Sequence, residues 1–186
     1  MARIPAVNRN NIDQQLVDIF DLLDPDFEGI GTGPMSILKH SPEMARRATP
    51  LFEYVRNESS VPIKMRELAM LTTARAMDCP YIWNRHVSIA RNTGIDNELL
   101  DALREGNPLP KTSKEESLII NYCSEILRTN RVQADTFEGV LTFLGRQGLV
   151  ELNTLIGFYT MLAFNANSVE LDLPDDITEI PLSVGY

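Results

Sequence analysis

The sequence predicts an all-α bundle of about six to eight helices. Three observations carry that expectation. Apolar residues recur at helical spacing along nearly the whole chain. No segment alternates apolar and polar residues as a half-buried strand would. Helix start and stop signals separate the apolar stretches. With 186 residues, 44% of them apolar, the chain is long enough to enclose a core, and the expectation is a single domain over 1–186.

The first helix is expected over Asn11–Leu23, where Ile12, Leu16, Ile19, Phe20 and Leu23 share a face and Asp24-Pro25 ends it. Phe27–Pro34 holds Gly29, Gly31 and Gly33 and reads as a loop; no strand precedes it, so it is not a phosphate cradle. Ser41-Pro42 opens a second helix running to about Arg56, with a kink near Pro50. Ser60-Val61-Pro62 opens a third, running to about Met77 with Leu68, Leu71, Ala74 and Met77 as its apolar set. Asp78 then caps a fourth helix, with Pro80 in its first turn and Gly94 as its stop. Asp96 caps a short helix to Glu105. Gly106–Lys111 is a turn-rich linker, and Ser113 with Glu116 forms a capping box ahead of a helix to about Arg128. Helices over about Gln133–Leu144 and Leu149–Phe164 follow. The tail from Asn165 carries Pro174 and Pro181 and reads as extended, long enough to lie across a neighbouring subunit. Glu67-Leu68 and Glu151-Leu152 open similar apolar helices.

Composition removes several function classes. The net charge is −9 and no Lys/Arg run exists, which argues against nucleic-acid binding. No stretch reaches the roughly 18 uninterrupted apolar residues of a membrane span; Glu151, Asn153 and Gly157 interrupt the best one. The segment MARIPAVNRNNIDQQL lacks the apolar run of a secretory leader. Cys79 and Cys123 lie 44 residues apart, which is neither a disulfide framework nor a zinc pattern. The expectation is a cytoplasmic protein with reduced thiols, no metal and no organic cofactor.

The chemistry concentrates in Glu67–Gly94. Glu67, Cys79 and His86 are spaced by twelve and seven residues, and His86 is one of two histidines. The third and fourth helices should form an antiparallel hairpin turning near Asp78. Glu67 and His86 stand eleven and eight residues from that turn, so the carboxylate can reach the imidazole. A histidine oriented by a carboxylate is a usable acid or base near neutral pH. Cys79 begins a helix, where the macrodipole favours its thiolate. Cys79, Ile82 or Trp83, and His86 share a helix face.

On these residues the chain resembles the carboxymuconolactone decarboxylase and alkylhydroperoxidase D family. That family carries a Glu, a Cys twelve residues on, a second Cys three further and a His four beyond it. Glu67, Cys79 and His86 fall on three of these positions, and Ile82 stands at the second cysteine. A dithiol–disulfide cycle cannot run within the motif without that thiol. Tyr81-Ile82-Trp83-Asn84-Arg85-His86-Val87 is more similar to the decarboxylase-like branch, whose Glu is also replaced by Ile82. The resemblance spans about residues 30–172, including Gly157–Glu170. It implies an all-α alkylhydroperoxidase D-like fold assembled as a homotrimer or homohexamer.

The resemblance implies Glu67, Cys79 and His86 as catalytic residues and Tyr81, Ile82, Trp83 and Arg85 as substrate contacts. Decarboxylation of an unsaturated lactone acid needs a proton donor, a cation and an apolar wall. His86, Arg85 or Arg75, and Trp83 with Ile82 would supply them. The first expectation is a cofactor-free lyase or isomerase on a small unsaturated carboxylate or lactone, as in aromatic degradation. The second is a peroxiredoxin-type activity through Cys79 with an external thiol. The third is a helical oligomer without chemistry, which predicts a Glu67–His86 region packed shut.

Overall fold

The computed structural model describes residues 1–4, 7, 12–18, 21, 33–173 and 177–184, and its described secondary structure is helical throughout. The helix expected over Asn11–Leu23 falls partly outside these residues, as does most of the glycine-rich loop. The chain makes a short 3-10 helix at Gln14–Leu16, where Asp13 accepts the backbone N–H of Gln15 at 2.9 Å. Among the described residues, seven α-helical elements follow. They are α1 (Pro34–Leu38), α2 (Pro42–Glu53), α3 (Ile63–Ala76), α4 (Pro80–Asn92), α5 (Asn97–Glu105), α6 (Lys114–Thr129) and α7 (Ala134–Ser168). Within the described residues, no helix is long and apolar enough to cross a membrane.

The centre of the bundle is α3. Every residue from Met65 to Ala74 is buried, so this stretch of the helix has no solvent face and α4, α6 and α7 pack around it. Glu67 is therefore carried into the core by its own helix.

Local signals set most boundaries. Asp96 caps α5 and Gly106 ends it at φ 67°. Ser113 and Glu116 form the reciprocal capping box of α6. Other expectations are corrected. Asp78 is not the cap of α4: it turns the chain at φ 44°, its carboxylate pairs with Arg75, and Cys79 takes the N-cap position without a side-chain bond. Pro50 costs α2 one backbone donor, yet the helix continues to Glu53. The irregularity comes next, as a wide π turn at Tyr54–Glu58 closed by Ser59 N–H on the Tyr54 carbonyl. The two expected final helices are both present within α7, separated by a kink at Gly145, whose non-helical φ of 69° and ψ of 179° suit only glycine. That helix runs to Ser168, past the start expected for an extended tail.

The described part of the tail folds back on its own chain. The Asn84 side chain donates to the Glu179 carbonyl at 3.3 Å, Arg91 pairs with the Glu179 carboxylate, and Leu182 is buried. A buried leucine contributes about 1.5–3 kcal/mol, which offsets part of the cost of ordering an extended segment.

Candidate functional site

Two helices place the acid–base pair. Glu67 on α3 and His86 on α4 are each only 5% exposed, and Glu67 Oε2 lies 2.9 Å from His86 Nδ1. On the other side of the ring, Tyr159 of α7 brings its hydroxyl to 3.2 Å from Nε2. The two rings meet edge-on, with centroids 5.3 Å apart and planes at 75°. Two consecutive helices and a third from far along the sequence thus assemble a chain of carboxylate, imidazole and phenol.

A cavity of about 270 Å³ opens beside this chain. Gly33–Ser36 and Lys39 form one wall, Phe52 and Arg56 a second, α4 a third, and Tyr159 with Leu162 of α7 a fourth. On α4 the lining residues are Tyr81, Ile82, Arg85, His86 and Ile89. The last four recur at i, i+3, i+4 and i+7, one face of one helix. Arg56 lies over the Phe52 ring, 5.5 Å from its centroid. Among the described residues, neither Arg56 nor Arg85 has a carboxylate partner. The cavity is therefore electropositive in a protein of net charge −9.

Of the expected contacts, Tyr81, Ile82 and Arg85 line this cavity and Trp83 does not. The indole is fully buried in the core and its Nε1 has no hydrogen-bond partner. Arg75 lies elsewhere, paired with Asp78. Cys79 is also fully buried and absent from the cavity wall. Burial pushes its thiol up to about 11, although N–H groups of Ile82 and Tyr81 pull the other way. The helix start does favour the thiolate, as its position suggests, but desolvation is the larger effect. Among the described residues, no group of three or more His, Cys, Asp or Glu is placed to hold a metal ion.

Arg56 was not among the site candidates, and Tyr159 entered only as a residue of the family-like C-terminal helix that could line a pocket. Tyr159 carried a signal: it is the one hydroxyl in a buried stripe with Leu152, Leu155, Leu162 and Ala166, and a buried phenol needs a partner. Arg56 carried none, because the π turn that aims it leaves no mark in the apolar spacing.

Residues 42–116 match the model of the carboxymuconolactone decarboxylase family, a span that includes Glu67, Cys79 and His86 and stops short of Tyr159. No curated protein matches the chain. Solved structures share the fold. A peroxidase-related protein with an alkylhydroperoxidase AhpD core, from Ralstonia eutropha JMP134, superposes with a TM-score of 0.70 at 14% identity, covering 94% of this chain and 93% of its own. One from Silicibacter sp. TM1040 gives 0.68 at 14%, covering 95% and 93%. The debrominase Bmp8, a cysteine-to-alanine form in complex with 2,3,4-tribromopyrrole, gives 0.66 at 13%, covering 92% and 91%.

Proposed function

We propose, from the match of residues 42–116 to the carboxymuconolactone decarboxylase family model, that the chain is a member of that family and a cofactor-free lyase or isomerase acting on a small unsaturated carboxylate or lactone. The observation that carries the proposal is what the cavity meets. Its wall holds His86, backed by Glu67, and two guanidiniums that have no carboxylate partner among the described residues, while Cys79 is fully buried and no part of that wall.

The chemistry follows from charge. Breaking a C–C bond to a carboxylate, or a C–H bond beside a carbonyl, leaves an electron pair that spreads onto the carbonyl oxygen as an enolate. Arg56, half-buried, and Arg85, exposed at the cavity wall, offset that charge. The Glu67–His86 pair accepts or returns the proton, and Glu67 stabilises the imidazolium formed meanwhile. Phe52, Ile82, Ile89 and Leu162 supply an apolar wall for a flat ring. The tribromopyrrole complex of Bmp8 supports a small planar ligand in this fold.

A peroxidase reading through Cys79 has the peroxidase-related neighbours in its favour. It requires a thiolate reachable by peroxide, and a fully buried thiol with a raised pKa is a poor candidate. The test is a screen of unsaturated lactone acids for turnover. His86→Ala is expected to lower kcat by about 10²–10⁴-fold. Turnover that survives His86→Ala unchanged refutes the proposal, and rapid peroxide consumption lost in Cys79→Ser installs the peroxidase reading instead.

A further inference from the structure

We infer that Tyr159 is the group that exchanges the proton with the substrate, and that His86 and Glu67 act behind it as a relay. The inference rests on the proton-transfer reading above and identifies which atom performs it.

Hydrogen-bond bookkeeping around His86 leads there. A carboxylate only accepts, so Nδ1, 2.9 Å from Glu67 Oε2, must carry a proton. In the neutral ring Nε2 is then a bare lone pair. The partner 3.2 Å from it is Tyr159 Oη, which must donate. Both ring nitrogens are thus occupied by protein groups. A substrate reaching Nε2 would have to displace the phenol, and Tyr159 is only 2% exposed and wedged against the edge of the imidazole. The Tyr159 oxygen, by contrast, keeps unused acceptor capacity, and Tyr159 lines the cavity.

Burial holds the phenol neutral at rest, while the Arg56 charge acts in the opposite direction. The resting state is therefore an O–H aimed at a lone pair, ready to pass its proton inward. In the forward step the substrate C–H proton moves to Tyr159 Oη as the phenolic proton moves to His86 Nε2. The C–H electron pair stays on the substrate as an enolate, and Glu67 holds the imidazolium. The reverse relay returns one proton to a different carbon, completing an isomerisation with no net proton change. In a decarboxylation no C–H proton is taken: the pair left by departing carbon dioxide takes the Tyr159 phenolic proton, and a solvent proton restores it. Neither course needs an oxidant or reductant.

Two measurements test the relay. The chain has only two histidines, so ¹⁵N-histidine NMR at neutral pH resolves both rings, with His40→Gln assigning them. The expected result is His86 protonated at Nδ1, with an Nε2 resonance that moves in Tyr159→Phe. A neutral His86 protonated at Nε2 overturns the inference, because Tyr159 would then be the acceptor. The second measurement uses a lactone acid turned over by the wild type. Tyr159→Phe is expected to lose about 100-fold or more in kcat, with KM and melting temperature near wild type. A kcat within twofold of wild type overturns the inference. Wild-type inactivity toward every lactone acid fells the proposed function instead, and the tautomer still decides whether the relay exists.

Discussion

Two buried glutamates, Glu67 and Glu151, open similar stretches of sequence and come to opposite uses. Both are almost fully buried. Glu151 accepts from Tyr54 Oη at 2.6 Å, Ser60 N at 2.7 Å, Ser60 Oγ at 2.6 Å and Gln147 Nε2 at 2.9 Å. Burial alone would raise its carboxyl, but these donors together outweigh burial and hold it near 2. None of them titrates near neutral pH. Glu67 has one described partner, the imidazole of His86, a ring whose two nitrogens can each carry or release a proton. A carboxylate saturated by neutral donors is a fixed charge that ties helices together. A carboxylate facing a single titratable ring can support proton transfer. Burial does not separate the two cases; the chemistry of the partner does.

Four measurements break or sharpen that contrast. The largest effect is expected in Glu67→Gln, which keeps shape and loses charge: kcat should fall by about 10²–10⁴-fold while the melting temperature barely moves. An active Glu67→Gln would erase the distinction. Glu151→Ala should do the reverse. Orphaning several buried donors costs about 3 kcal/mol, or about 6–12 °C in melting temperature for a chain of this size, and kcat of the folded fraction should stay near wild type. Calorimetry with active-site normalisation separates the two.

A pH series follows. The folded Glu151 carboxyl lies near 2 against an ordinary value of 4.5. The group is depressed on folding, so its stabilisation is complete above about 4.5 and is lost as pH falls toward 2. The gap in unfolding free energy between wild type and Glu151→Gln should narrow across that window. A gap independent of pH would mean that the Glu151 charge contributes nothing. The smallest effect is expected in Cys79→Ser, whose kcat should stay within twofold of wild type. Thiol labelling of folded wild type should be slow at neutral pH, since the thiol lies near 11. Fast labelling would give the sealed thiol a role.

Where a feature was set by neighbours in sequence, it was legible there. Asp96, the Ser113–Glu116 box and Gly94 all act within one turn, and each ends or starts a helix where expected. The Glu67–His86 approach followed from counting outward from a hairpin turn, because antiparallel helices of equal rise set such residues opposite one another. What needed the whole bundle was not legible. Cys79 has the local environment of an activated thiol, and only packing shows it sealed away. Tyr159 reaches His86 across 73 residues of sequence. The tail reads as extended in the sequence, and only packing shows Glu179 and Leu182 held against this chain. Asp78 has a capping side chain, yet the turn places Cys79 at the cap.

The π turn at Tyr54–Glu58 holds, two residues apart, the tyrosine that anchors Glu151 and the arginine that faces the cavity. A single turn of backbone moves as one body, so the scaffold and the ligand site share a hinge pin. Drift that loosens the anchor tilts the cation as well. In an evolving lineage, weakened retention of an anionic ligand would then appear before any loss of fold. Selection for ligand affinity would guard the scaffold, and Tyr54 would be kept for a molecule it does not touch.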